Sequence, residues 1–243
     1  PPLMTFLVAG VAGGPVLAGT LGMLVPSALV GTLLLATLPA ITRASTGARV
    51  ATRAAARGVE MPGAMALLIG VVMLRSWASL GFTTFVPFYY VDTLGADPRV
   101  VGPLLFVFLG GGALATVIAG PLADRWGARA FIRWVLLAAM PFGVLFLHAG
   151  GALAFVLLGL FGAVLTSSFT VSVVLGQAYL PRRAGLASGL IVGFAIGMGG
   201  VGVSALGWVA DQWGVPAALW ISALLPALGF VAARFLPEPR DRE

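Results

Sequence analysis

Apolar residues run along this chain in eight long tracts, separated by short polar breaks, over residues 3–21, 24–41, 63–91, 100–123, 133–147, 152–178, 184–210 and 215–234. An α-helix rises 1.5 Å per residue and the hydrocarbon core of a bilayer is about 30 Å thick, so roughly 20 residues make one crossing. Period-2 alternation is missing from the tracts, and each is close to a crossing in length. The pattern therefore predicts an all-α integral membrane protein with eight transmembrane helices. The break His148-Ala149-Gly150-Gly151 divides the long run between Trp134 and Pro181 into two of these crossings. Asp97 ahead of Pro98 is placed to cap the helix that follows.

Composition strengthens this reading. Hydrophobic residues make up 60% of the 243 residues and charged ones 9%, against roughly 45–50% and 25% in an average soluble domain. The net charge of +6 comes from fourteen basic residues, all arginine. If the eight spans alternate, every arginine at a span end or in a loop except Arg99 falls on one side, and Arg75 lies deep within a span. That is the positive-inside distribution rather than a nucleic-acid face. It predicts a multi-pass protein of the plasma (inner) membrane with both chain ends cytoplasmic. Without cysteine, and with His148 as the only histidine, the chain has no thiolate or histidine cluster for a metal. Neither a nucleophile–base pair nor a cofactor motif stands out, so the expectation is not an enzyme, with no cofactor and no metal.

The most specific stretch is Gly120-Pro121-Leu122-Ala123-Asp124-Arg125-Trp126-Gly127-Ala128-Arg129, which is predicted to be a tight cytoplasmic turn between two spans. Its glycines let the chain reverse, and its arginines hold the turn at the cytoplasmic surface. It resembles the loop motif of the major facilitator superfamily, Gly-x-Leu-Ala-Asp-Arg-x-Gly followed by two basic residues. Gly120, Leu122, Ala123, Asp124, Arg125, Gly127 and Arg129 match, and Ala128 replaces the first trailing basic residue. The resemblance implies a role for Gly120, Asp124, Arg125, Gly127 and Arg129 in stabilising one conformational state.

In the first span, Gly10, Gly14, Ala18 and Gly22 recur every fourth residue, and Pro15 bends the axis. Gly10, Gly14, Pro15 and Gly19 resemble the fifth-helix signature of proton-coupled drug exporters in that superfamily, with Ala18 in place of one glycine. An ordinary small-residue packing ridge is the alternative. Residues 44–62 form the longest polar segment, with Arg49, Arg53 and Arg57 at i+4 spacing. They read as topogenic charge or as a face for anionic lipid.

Arg75 lies about a dozen residues into its span, where an unpaired charge costs at least about 2.5–3.5 kcal/mol. Ser79 and Thr83 share its helical face, and Tyr90 lies near the outer end of the stripe. A cationic, hydroxylated face suits an anionic or amphiphilic solute. The alternative is a structural arginine bound to backbone carbonyls or to an acid elsewhere. In the sixth tract Thr166, Thr170 and Gln177 share a face that either bonds to neighbouring helices or lines a cavity. The expected substrate-binding set is thus Arg75, Ser79, Thr83, Tyr90, Thr170 and Gln177.

Gly185, Gly189, Gly193 and Gly197 repeat the small-residue ridge of the first span, and Val215-Pro216 echoes Val25-Pro26. The first and last pairs of spans read as copies of one unit. In the superfamily, two six-helix repeats enclose the solute site. The resemblance then equates these eight spans with helices 5–12 of twelve, with the N-terminal helices missing or supplied by a complementing chain. Its domains would be residues 1–43, the last two helices of the first bundle; 44–62, the central loop; 63–236, the second bundle; and 237–243, a cytoplasmic tail. Leu74-Arg75-Ser76-Trp77, Phe85-Val86-Pro87 and the stretch from Leu175 to Gly189 resemble the fosmidomycin-resistance branch, where an acid follows the glutamine; here Ala178 stands in that place.

The resemblance implies a secondary transporter that exports a small drug or anionic metabolite in exchange for a proton, by alternating access in the bilayer. No acid sits well inside a span, so the coupling carboxylate is expected in helices outside this chain. An uptake symporter of the same fold, or a non-transporting membrane fragment or assembly partner, are the alternatives.

Overall fold

The computed structural model describes residues 59–239 together with Thr32. Among these residues the chain is helical and contains no strand. The helices are α1 (Pro62–Phe88), α2 (Val101–Trp126), α3 (Ala128–His148), α4 (Gly151–Tyr179), α5 (Ala184–Trp213) and α6 (Val215–Ala233). All six are long and apolar enough to cross a membrane. They correspond one to one with the last six predicted tracts. The crossings expected over 3–21 and 24–41 lie outside the described residues.

Local chemistry sets the helix ends. Pro62 opens α1 in its first turn, where a missing N–H is tolerated. A π-helical turn, Tyr89–Thr93, prolongs α1 at its far end. As its position predicts, the Asp97 carboxylate accepts the Arg99 backbone N–H at 2.8 Å and caps the short 3-10 turn Pro98–Val100 that leads into α2. The break at 148–151 falls between α3 and α4.

The α2–α3 junction differs from the predicted ten-residue turn. Helix α2 continues through Pro121 to Trp126, and α3 starts at Ala128, so Gly127 alone makes the reversal. Its φ of +82° is open to glycine but costly for other residues. The α5–α6 junction repeats the construction at the opposite end of the bundle: Asp211-Gln212-Trp213-Gly214 parallels Asp124-Arg125-Trp126-Gly127, and Gly214 has φ +84°. What differs is the charge, because glutamine replaces the arginine.

The core is aromatic and aliphatic. Phe82 of α1, Phe146 of α3 and Phe161 of α4 are fully buried. The Phe82 ring lies 4.2 Å from Phe161 and 5.7 Å from Phe146, centroid to centroid. Helix α4 lies centrally, against α1, α2, α3 and α5, while α6 covers α1 and α3. Glycines set the closest crossings. A Cβ on Gly111 would collide with the Gly159 carbonyl, one on Gly162 with the Phe108 carbonyl, and one on Gly112 would sit 2.5 Å from the Thr166 hydroxyl. These contacts bring the α2 and α4 backbones together. On α5, Gly199 and Gly202 receive Leu80 and Trp77 of α1, and the Trp77 indole donates to the Met198 carbonyl at 2.7 Å. The ridge Gly185, Gly189, Gly193 and Gly197 faces no described neighbour. Among the described residues, α5 packs on α1 through Gly199 and Gly202.

At the end of the bundle where α1 begins, the Met61 N–H donates to the Tyr179 carbonyl at 2.9 Å. There the chain after α6 is also fastened: the Tyr179 hydroxyl donates to the Pro237 carbonyl at 2.7 Å, and Arg129 donates to the Leu236 carbonyl at 2.8 Å. Arg129 also pairs with Glu238. Among the described residues, Arg125, Arg129, Arg133, Arg182, Arg183 and Arg234 gather at this end. The opposite end carries Arg99 with Asp92, Asp97 and Asp211.

Candidate functional site

Arg75 lies 13 residues after the start of α1, about 20 Å along the axis and so close to mid-membrane. Helix α4 crosses it with its own midpoint. The Arg75 Nε donates to the Leu165 carbonyl at 2.9 Å, and the guanidinium carbon stands 4.9 Å from the centre of the Phe169 ring. That carbonyl also accepts the Ser168 hydroxyl at 2.7 Å. Backbone and aromatic contacts thus hold one edge of the guanidinium. Among the described residues no carboxylate pairs with it, and its terminal amino groups keep their donors free.

Ser79 lies one turn along the same face and is partly exposed. The Thr83 hydroxyl turns back on its own helix, donating to the Ser79 and Leu80 carbonyls at 3.1 Å. Thr170 follows Phe169 on α4, and its hydroxyl lies 3.5 Å from the Thr166 carbonyl. A threonine that bonds backward in this way keeps its oxygen lone pairs but offers no free donor. The hydroxyls can therefore accept from a solute, and Arg75 can donate to one.

Tyr90 and Gln177 lie elsewhere. Tyr90 is 15 residues beyond Arg75, about 22 Å along the helix, with its ring beside Tyr89 and Phe146. Gln177 lies 12 residues past Leu165, about 18 Å away along α4 toward the opposite end, where it donates to the Ser188 hydroxyl of α5 at 2.8 Å. The contacts join Arg75 of α1 to the Leu165 carbonyl and Phe169 of α4; Ser79 lies one turn beyond Arg75, while Thr83 lies about 12 Å along α1 toward one surface and Thr170 about 7–8 Å past Leu165 along α4 toward the other. Sequence reasoning missed Phe169, although an aromatic side chain inside the polar run from Thr166 to Thr170 was a usable signal. The Leu165 carbonyl carried no signal in sequence.

The motif at the α2–α3 junction divides by role. Gly127 makes the turn and Arg129 fastens the tail. Asp124 and Arg125 are exposed and make no ion pair with a described residue, and Gly120 has open space where a Cβ would stand. Glu238, the partner of Arg129, was not anticipated from the sequence. Gly10, Gly14, Pro15 and Gly19 lie outside the described residues.

Residues 68–243 match the family model of the Major Facilitator Superfamily. Over 159 residues the chain is 41% identical to the uncharacterized MFS-type transporter YfnC of Bacillus subtilis, covering 65% of this chain and 39% of that protein. Over 180 residues it is 33% identical to the fosmidomycin resistance protein of Escherichia coli, covering 74% and 44% respectively. Its fold matches the crystal structure of the MFS transporter FucP in the outward conformation, with a TM-score of 0.56, 21% identity, and coverage of 70% of this chain and 42% of that one. The chain spans less than half the length of the curated relatives it matches. The six described membrane-length helices and the match over residues 68–243 together place this chain in the Major Facilitator Superfamily.

Proposed function

We propose that this chain supplies one bundle of a secondary transporter that exports a small anionic or amphiphilic solute in exchange for a proton. The observation that carries this reading is Arg75, a cation near mid-membrane with free donors and no described carboxylate partner. A solute anion would offset the cost of holding that charge in the membrane. Ser79 and Thr170 would accept from any hydroxyl or amine group the solute carries, and Phe169 would restrain the guanidinium. Export follows from the likeness to a fosmidomycin resistance protein and from the glycine–proline signature at 10–19.

In this reading, residues 63–236 form the second bundle, 1–43 belong to the first, and 44–62 connect them. The arginine-rich end faces the cytoplasm. No described span carries an acid near its middle, so the coupling proton is carried by a carboxylate on the partner bundle. Gln177 and Tyr90, near the two membrane surfaces, would contact the solute on entry or exit rather than at the central site.

The test is fosmidomycin tolerance in cells expressing the gene that encodes this chain, combined with solute flux in inverted vesicles under an imposed proton gradient. Gradient-driven accumulation that is lost with Arg75→Gln at equal membrane levels is the expected result. Solute movement down the proton gradient in the other direction would favour an uptake symporter, and equal flux without Arg75 would remove it from the site.

A further inference from the structure

A second site lies at the arginine-rich end, away from the Arg75 face. A cleft of about 520 Å³ opens between the start of α3, the end of α4 and the tail; Arg129, Arg133, Val174 and Glu238 help to line it. An apolar groove of about 720 Å³ runs between α2 and α3, along Leu122, Trp134, Val135 and Ala138. The two are continuous, because Trp126 and Ala130 line both. The composite therefore has a charged mouth and an apolar extension.

The charges in the mouth are not equivalent. Arg129 is occupied by Glu238 and the Leu236 carbonyl. Arg133, one turn further along α3, has no ion-pair partner among the described residues. With Glu238 neutralised by Arg129, Arg133 leaves the mouth with one uncompensated positive charge. Arg133 lies five residues into α3, about 7–8 Å below its start, at the depth of the boundary between headgroups and chains. From Ala130 to Ala138 the groove descends about 12 Å, most of the roughly 15 Å occupied by one leaflet's hydrocarbon. Trp126 and Trp134 flank it and are more than half exposed, as interfacial tryptophans in contact with lipid are.

We propose that this composite binds one anionic phospholipid from the leaflet at that end, with its phosphate on Arg133 and one acyl chain in the groove between α2 and α3. The charge and the apolar groove favour this occupant together. A soluble phosphate would leave the groove empty, and a neutral apolar solute would leave Arg133 unpaired. The site is independent of the transport direction and of the Arg75 reading.

The test uses the full chain purified in detergent, supplied with phosphatidylglycerol or phosphatidylcholine, with retained lipid read by native mass spectrometry. The expected result is one phosphatidylglycerol held in preference to phosphatidylcholine and not displaced by inorganic phosphate. Arg133→Gln should weaken retention about fivefold, the effect of one arginine at an anionic surface. Ala138→Trp, which fills the groove, should also lower it. Trp134→Ala removes a flanking side chain that is largely exposed, and provides a second test of the groove if the larger side chain disturbs folding. Equal retention of the two lipids, or an equal loss with Arg99→Gln at the opposite end, would overturn the proposal. It would also fail if displacement by inorganic phosphate accompanied indifference to both groove variants, since the site would then hold phosphate alone.

Discussion

Replacing Arg75 with methionine separates a binding role from a structural one. The substitution removes a charge-assisted hydrogen bond to the Leu165 carbonyl, about 1.5–3 kcal/mol. It also removes the guanidinium from the Phe169 ring, about 0.5–2 kcal/mol. Against this, it relieves about 2.5–3.5 kcal/mol of charge burial at mid-span. The carbonyl keeps the Ser168 hydroxyl as a donor, so no acceptor is orphaned. The terms largely cancel, and Arg75→Met should change the unfolding free energy by less than about 2.5 kcal/mol while abolishing solute flux. The assays are reversible unfolding of the purified chain in mild detergent and flux in vesicles at matched protein levels. A structural arginine paired with a buried acid behaves differently, because removing it strands a charge at a cost of about 3–5 kcal/mol. A loss of that size, or undiminished flux, would refute the binding role.

Other positions yield sharper stability contrasts. Gly162→Ala drives a methyl group into the Phe108 carbonyl on α2, which cannot yield without moving a helix. It should cost about 1–3 kcal/mol in unfolding experiments. Gly193→Ala meets open space and should be neutral or slightly stabilising by the same measurement. Gly127→Ala should cost about 1–3 kcal/mol because φ is +82°, and limited proteolysis at the α2–α3 junction should accelerate in parallel. Gly120→Ala, seven residues before the junction glycine and in open space, should leave both readouts unchanged.

Long apolar runs made the six described helices legible in sequence, because length against bilayer thickness is a strong constraint. The α2–α3 junction was less legible. Asp124 and Arg125 look like turn residues by polarity, yet both complete the last turn of α2, where helix ends meeting the membrane surface accept polar side chains. The glycine ridge was legible only as a face. Spacing shows that Gly185 to Gly197 share a face, but the neighbour across that face is a tertiary fact; among the described residues α5 meets α1 through Gly199 and Gly202. Arg75, Ser79 and Thr83 came from helical periodicity on one element. Periodicity also admitted Tyr90 and Gln177, although rise per residue separates them from Arg75 and from Leu165. Phe169 and the Leu165 carbonyl required the crossing of α1 and α4, and Glu238 required the return of the tail to Arg129, neither of which is local in sequence.

Cysteine accessibility tests the binding face most directly, since the chain has no native cysteine. A single Ser79→Cys, placed one turn from Arg75, is labelled from water with anionic and cationic methanethiosulfonates, and Trp134→Cys reports a position on the apolar groove. If the Arg75 face lines an aqueous anion path, the cysteine at 79 reacts faster than the one at 134. Its anionic-to-cationic rate ratio then falls when Arg75→Gln is added, because the attracting charge is gone. Failure of the cysteine at 79 to react, or a ratio indifferent to Arg75, would contradict an anion site at the centre of this bundle.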